Sequence, residues 1–349
     1  MYTLSRSLLF RLPTETSHRL ALSSLDLLFR LRLSGLLVDR KRLAEAKPVR
    51  MMGLEFPNGV GLAAGLDKDA EHIDALAALG FGSIEVGTLT PRPQPGNARP
   101  RLFRLPQQQA IINRMGFNNK GIDQALERIR GSRYRGVLGI NIGKNADTPV
   151  AEAAGDYLTC MRKAYSAASY LVVNLSSPNT PGLRSLQYGQ ELRGLLSALK
   201  EEQVRLAAQH ERQVPLVVKI APDLNIDELG LVAEALLEFS IDGVIATNTT
   251  LSRDGVEDNP LHTQAGGLSG APLRARSSAV IGQLYDCLGE RLPIIGVGGI
   301  GSGEDACEKI RAGARAVQLY TGFIYRGPEL VSEAVAALAA LAEGTDDGA

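Results

Sequence analysis

The sequence predicts an α/β chain, specifically a (β/α)8 TIM barrel with an N-terminal amphipathic helical extension. Three observations carry this prediction. Eight short runs of β-branched or small apolar residues each lead into a helix-like segment, the pattern of parallel strands covered by helices. Polar residues appear abruptly at the C-terminal end of nearly every run, where barrel enzymes carry their reactive groups. The 37 glycines outnumber the aromatics, 9 Tyr and 8 Phe with no Trp, so many glycines serve the backbone rather than fill space. A doubly wound sheet is the alternative architecture, but eight repeats favour the barrel.

In chain order, residues 1–42 differ from the rest. Arg6, Arg11, Arg19, Arg30, Arg32, Arg40, Lys41 and Arg42 face only Glu15, Asp26 and Asp39, a net charge of +5. Leu4, Leu8 and Leu9 predict a short helix stopped near Pro13, and Leu20, Leu27, Leu28 and Leu31 a second closed by Gly35. The chain is thus expected to divide into a helical hairpin, 1–45, and a barrel domain, 46–349. The hairpin reads either as a cap packed on the barrel or, because Phe10, Phe29 and the leucines sit beside arginines, as a surface for a membrane interface or a partner. The barrel strands are expected at 60–64, 83–87, 137–142, 171–175, 216–220, 243–247, 294–297 and 316–320. Ile226, Leu229, Val232, Ala233 and Leu236 have the 3,4 spacing of a buried helical stripe. Long connections at 90–120 and 251–267 interrupt the repeat, and such connections usually cover an active site.

Composition excludes several functions. The 38 basic and 38 acidic residues cancel, so no excess charge seeks a polyanion and nucleic acid is not an expected partner. Cys160, Cys287 and Cys307 are far apart and odd in number, which argues against a disulfide framework and for a reducing compartment. Residues 1–11 lack the apolar core of a signal peptide, and no uncharged apolar stretch of about 18 residues appears. His18, His72, His210 and His262 have no ligand spacing for zinc, so no metal is expected.

The strand ends carry the chemistry. In order they present 64–68 (Ala-Gly-Leu-Asp-Lys), Thr88, Asn141, 174–180 (Asn-Leu-Ser-Ser-Pro-Asn-Thr), Lys219, 247–249 (Thr-Asn-Thr), Gly298-Gly299 and 320–322 (Tyr-Thr-Gly). Asn offers two donors and an acceptor oxygen, which suits the C=O and N–H edge of an amide-bearing ring; Asn113, Asn174, Asn179 and Asn248 could encircle one. Lys68 and Lys219 aimed into a partly dry cavity imply an anionic or electron-rich ligand. Residues 296–301 fit Gly-x-Gly-x-x-Gly, but Gln318, Leu319 and Tyr320 stand where a dinucleotide site needs its acidic ribose partner. A phosphate pocket built by the last two strand loops is the better reading, with Gly270, Gly299, Tyr320 and Thr321 around the anion. Residues 139–144 do not have the spacing of a P-loop.

These residues carry a family likeness. The runs 64–68, 113–118 (Asn-Arg-Met-Gly-Phe-Asn), 174–184, 246–249 and 296–300 closely resemble dihydroorotate dehydrogenase, over residues 8–330. The helical extension, and Ser177 where the soluble classes carry a catalytic cysteine, resemble the membrane-associated, quinone-using class. The resemblance implies an FMN cofactor and the oxidation of dihydroorotate to orotate in pyrimidine synthesis, with Ser177 as catalytic base; a serine is a poor base and needs a relay partner, for which Thr180 and an ordered water are candidates. It places Lys68, Asn113, Arg114, Met115, Gly116, Phe117, Asn174, Asn179, Asn248 and Thr249 against the substrate. It places Ala64, Gly65, Leu66, Asp67, Lys68, Thr88, Asn141, Asn174, Lys219, Thr247, Gly270, Gly299, Tyr320 and Thr321 against the flavin. His18 and Arg104 resemble positions at the entrance for a membrane quinone. A monomer bound peripherally to the cytoplasmic side of the cell membrane is expected.

Two other readings remain at the sequence level. A non-redox, phosphate-binding barrel isomerase or lyase would share the late glycines, but usually brings paired acid and base carboxylates to its strand ends. A binding barrel without catalysis leaves Ser177 and Lys219 unexplained.

Overall fold

The computed structural model describes residues 2–180 and 182–346. Pro181, inside the 174–184 motif, and the last three residues of the expected 46–349 domain lie outside the described residues. The strands, in chain order, are β1 Val49–Met51, β2 Leu54–Phe56, β3 Val60–Leu62, β4 Ser83–Leu89, β5 Leu102–Leu105, β6 Ala110–Asn113, β7 Val137–Ile142, β8 Tyr170–Asn174, β9 Leu216–Ile220, β10 Gly243–Ala246, β11 Gly267–Gly270, β12 Ile294–Val297 and β13 Ala316–Leu319. The eight expected barrel strands are β3, β4, β7, β8, β9, β10, β12 and β13; they pair in parallel and close between β13 and β3. Four end earlier than expected, at Leu62, Asn174, Ala246 and Leu319. The polar residues that follow leave the ladder to line the barrel mouth, whereas β4 runs on to Leu89.

Alternation along each strand sorts the side chains. Leu138, Leu171, Val173, Leu216, Val218 and Val244 face the surrounding helices, among them 153–164, 189–210, 226–238 and 274–288, and form the main core. Val137, Tyr170, Val172, Val217, Ile245 and Ile295 point inward. The β1–β2 hairpin plugs the lower end with Met51 and Phe56, whose ring centroid is 6.4 Å from that of Tyr170. Two residues above these apolar positions, the same inward face becomes polar with Asn141, Asn174 and Lys219, all at most 5% exposed. The mouth therefore opens above a dry plug.

The two long connections do cover the mouth, and they do so as a sheet. β5, β6 and β11 form an antiparallel layer, β6 pairing with β5 on one side and with β11 on the other. The 251–267 segment is folded around one guanidinium: Arg253 donates to the carbonyls of His262 at 2.9 Å and of Gln264 and Gly266 at 2.8 Å. Its order comes from an arginine tied to its own loop, which leaves no periodic pattern in sequence.

The extension forms helices α1 Tyr2–Leu9 and α2 Thr14–Arg30, separated by Pro13. The second helix ends five residues before Gly35, since Arg32 takes a left-handed conformation (φ 62°), and a 3-10 turn Ser34–Leu36 and a short helix Arg40–Ala44 follow. Polar ties fix the hairpin to the barrel. Arg6 donates to Tyr325 O at 2.7 Å, Tyr2 OH to Ile324 O at 2.6 Å, and Arg101 grips Glu15 through Nε at 3.0 Å and Nη2 at 3.2 Å. Leu8, Leu20, Leu27, Leu31, Leu33 and Leu36 remain exposed on the outer side, between 40% and 72%. Among the described residues, no helix is long and apolar enough to cross a membrane.

Gly139 in β7 faces the barrel interior, where a Cβ would land within the Tyr170 ring, 2.6 Å from Cε2 and from the hydroxyl. Gly155, on an exposed helical surface, has open space around it. Gly139→Ala should cost about 1–3 kcal/mol by overpacking, while Gly155→Ala should be neutral or stabilise by up to about 1 kcal/mol. Urea melts of the two variants check this.

Candidate active site

The strand ends converge on one cavity under the antiparallel sheet. Its wall brings together Ser177, Lys68, Asn113, Met115, Gly116, Phe117, Asn174, Asn179, Asn248 and Thr249. On the same wall lie Ala64, Gly65, Thr88, Lys219, Thr247, Gly270, Gly299, Tyr320 and Thr321.

Four expected residues do not line it. Leu66 packs in the core behind the first strand end. The Asp67 carboxylate, 2% exposed, accepts the backbone N–H groups of Glu71 and His72 at 2.8 Å each, fixing the loop that presents Lys68; burial pushes its pKa up. Arg114 turns away from the cavity to donate to Gln264 Oε1 at 3.0 Å and Pro100 O at 2.8 Å, its guanidinium 4.7 Å from the Phe103 ring centre. It braces the roof. Asn141 lies one layer below the floor, fully buried.

The asparagines are joined to one another. Asn179 Nδ2 donates to Asn113 Oδ1 at 3.3 Å across the mouth. Asn248 Nδ2 donates to Ser176 Oγ at 2.9 Å, and its Oδ1 accepts Thr249 N–H at 2.7 Å. Asn174 Nδ2 donates to Thr88 Oγ1 at 3.0 Å and Asn141 Oδ1 at 3.2 Å, while its Oδ1 accepts Ser176 Oγ at 3.0 Å. The Ser177 hydroxyl, 5% exposed, accepts Asn179 N–H at 3.2 Å. Three residues further on, the buried Thr180 Oγ1 has no hydrogen-bond partner among the described residues.

Two lysines set the electrostatics. Lys68 Nζ donates to Gly65 O at 2.5 Å, and burial, reinforced by Arg101, brings its pKa down to about 8. Lys219, 5% exposed, has no hydrogen-bond acceptor among the described residues; burial lowers its pKa, opposed by Glu85. Sequence reasoning passed over Glu85, which is fully buried and accepts Asn141 Nδ2 at 2.8 Å, Gln318 Nε2 at 2.6 Å and Tyr170 OH at 3.3 Å. Gln318 was missed as a wall residue too, and its buried Oε1 has no partner. Strand alternation from Ser83 would have put Glu85 on the inward face.

Elsewhere, burial brings the His18 pKa down to about 4, helped by the nearby Lys68 and His72, so α2 reaches the charges beside the cavity. Arg104 donates to Leu12 O at 2.5 Å and stacks 4.6 Å from the Phe10 ring centre, fastening the turn between α1 and α2. Cys160 is buried in the 153–164 helix, outside the cavity wall.

Comparison with known proteins agrees with this geometry. The family model for dihydroorotate dehydrogenase matches residues 47–341. The proteins named dihydroorotate dehydrogenase (quinone) from Azotobacter vinelandii and Pseudomonas aeruginosa are each 60% identical over 341 residues, covering 98% of this chain and 97% and 99% of theirs. The crystal structure of the Eimeria tenella dihydroorotate dehydrogenase in complex with ferulenol superposes with a TM-score of 0.81 at 40% identity, covering 86% of this chain and 85% of that one. The joined asparagines, the serine and the two lysines at the strand ends stand in a chain that belongs to the dihydroorotate dehydrogenase family.

Proposed function

We infer that the chain oxidises dihydroorotate to orotate with a quinone as electron acceptor, a step of pyrimidine biosynthesis; the names of its relatives carry this activity. The observation that ties it to the site is the pairing of Ser177 with a ring of amides, the buried Lys219 and the half-buried Lys68 in one cavity. No paired acid and base carboxylates stand on that wall, which disfavours the isomerase or lyase reading.

The family uses a flavin, and we assign it here as FMN. Lys219 Nζ, on a side chain 5% exposed, and the buried Gln318 Oε1 are a donor and an acceptor without hydrogen-bond partners among the described residues, and a flavin ring edge offers both complementary groups. Gly299 lies against the backbone of Arg274, at the start of the 274–288 helix; bare amides and the helix dipole there suit a single phosphate, with Gly270 and Thr321 beside it. Held there by Lys219, Gln318, Gly270, Gly299 and Thr321, a flavin would supply the hydride-accepting chemistry that links the substrate to the quinone.

The chain's own groups do the rest. Lys68 neutralises the substrate carboxylate, and Asn113, Asn174, Asn179 and Asn248 match the cyclic amide edges. Ser177 Oγ takes the proton from the substrate carbon next to the one that loses hydride. Serine is a weak base, so its proton must move on; Thr180 Oγ1, buried and without a partner among the described residues, is free to take it through a bridging water. Lys219 stabilises negative charge developing at the ring. Phe117, held in a left-handed conformation (φ 52°), and Met115 bring apolar surface over the mouth and exclude water.

The exposed leucines of α1, α2 and the following turn, beside the arginines of 1–42, support a peripheral seat on the cytoplasmic face of the cell membrane, from which the quinone enters past His18. We assign the active form as a monomer, with residues 1–45 as the membrane and quinone-access unit and 46–349 as the catalytic barrel.

Ser177→Ala should slow flavin reduction by dihydroorotate about 10²- to 10⁴-fold, the range for a lost positioned base, with orotate affinity retained and Thr180→Val giving a smaller loss; anaerobic stopped-flow measures both. Replacing Leu27, Leu31 and Leu36 together by Ser should weaken binding to anionic vesicles and turnover with long-chain quinone at least about tenfold, since each buried leucine contributes roughly 1.5–3 kcal/mol. Reduction of the flavin by dihydroorotate should stay unchanged in that variant. Equal losses in both half-reactions would make the hairpin a structural cap.

A further inference from the structure

The polar floor of the cavity raises a question of orientation. Each Asn or Gln amide could present either its oxygen or its NH2 group to a ligand, and a ring of amides recognises a substrate only when every member faces one way. Something must set that direction.

Glu85 is placed to do so. Its carboxylate oxygens only accept, so each amide that meets them must offer nitrogen. Asn141 gives Nδ2 to Glu85 Oε1 at 2.8 Å, which turns its Oδ1 upward to accept Thr88 Oγ1 at 2.6 Å and Asn174 Nδ2 at 3.2 Å. With its nitrogen committed downward, Asn174 presents Oδ1 to Ser176 N–H at 3.2 Å and Ser176 Oγ at 3.0 Å, and to Asn248 Nδ2 at 3.4 Å. Asn248 then holds its own Oδ1 on the backbone N–H of Thr249. On the other side Gln318 gives Nε2 to Glu85 Oε2 at 2.6 Å, leaving Oε1 as a buried acceptor on the cavity wall. One acceptor-only group at the bottom thus fixes the polarity of four amides above it.

We propose that Glu85 is a positioning residue that sets the donor and acceptor pattern of the substrate and flavin walls through Asn141 and Gln318. It lies outside the cavity wall itself. Tyr170, whose hydroxyl reaches the same carboxylate at 3.3 Å from within the lower plug and accepts Gln318 Nε2 at 3.5 Å, sets no amide's direction, because that nitrogen is already committed to Glu85 at 2.6 Å. Because donors must meet acceptors along both walls, a ligand with alternating N–H and C=O edges is favoured over one with acceptors alone. This inference rests on the dihydroorotate reading above and extends it to a residue beneath the site.

The test is a double-mutant cycle on the flavin-loaded full chain. Glu85→Gln is isosteric but can donate or accept, so the amide above it loses its imposed direction; Asn141→Leu breaks the relay one step higher. Each should weaken orotate binding, read from the perturbation of the flavin visible spectrum, and raise the KM for dihydroorotate on the order of tenfold, the cost of a misdirected buried hydrogen bond. kcat should fall less than KM rises. The double variant should lose no more than the worse single, as expected for groups acting in series, Glu85→Asp should recover part of the loss, and Tyr170→Phe should leave orotate affinity unchanged. Additive losses, or Glu85→Gln with unaltered orotate affinity, would overturn the proposal. Should Glu85→Gln fail to fold, Asn141→Leu against Tyr170→Phe still decides, because equal orotate affinities in those two would also overturn it. A wild-type chain that does not oxidise dihydroorotate would instead refute the underlying reading.

Discussion

Burying one ammonium without a hydrogen-bond partner is the constraint around which the interior of this barrel is arranged. Lys219 sits in the polar layer, 5% exposed, with Glu85 as the opposing charge in reach. An isolated charge in such surroundings costs several kcal/mol even after relaxation, so the carboxylate has to be there, and it has to be hydrogen-bonded in turn. Asn141, Gln318 and Tyr170 supply those bonds. The polar layer follows from that requirement: apolar side chains and the β1–β2 plug below, charge and amides in the middle, ligand above. On the proposed assignment, an electron-rich ring against Lys219 would complete the arrangement.

A second set of charges joins the extension to the same place. Glu15 of α2 is gripped by Arg101, and its carboxyl is held below the usual carboxylate range by Arg101 and Arg99 even though burial acts the other way. Asp26 of α2 lies 2.7 Å from His72 Nδ1, and the backbone of His72 is tied to Asp67 in the loop that presents Lys68. The outer leucine surface is therefore connected to Lys68 by a short series of packed polar contacts. That continuity gives a physical route by which the two half-reactions can share one cavity while the hairpin sits at a different surface.

How much could be read beforehand depended on whether a feature repeats. The eight strands were legible because a short apolar run leading into a helix-like segment repeats eight times, and nineteen expected wall residues fall on one cavity because barrel geometry gathers strand ends and the 90–120 connection folds over them. Arg114 was unreadable in direction, since a long side chain at a sheet edge can point either way; here Gln264 and Pro100 turn it outward. The β5–β6–β11 roof joins residues about 150 positions apart in antiparallel register, with no local pattern to announce it. Glu85 was hidden by its surroundings in Ser83-Ile84-Glu85-Val86, where one carboxylate inside an apolar strand reads as surface until the barrel closes over it.

The central claim is that one cavity takes electrons from dihydroorotate and passes them to a quinone through a bound flavin. Anaerobic single-turnover titration of the purified full chain tests it most directly. Dihydroorotate should bleach the flavin absorbance at one equivalent per site, and one equivalent of a short-chain quinone should restore it, while NAD⁺ and fumarate leave it bleached. A flavin that dihydroorotate does not reduce, or that NAD⁺ or fumarate reoxidises as fast as quinone does, would contradict the account.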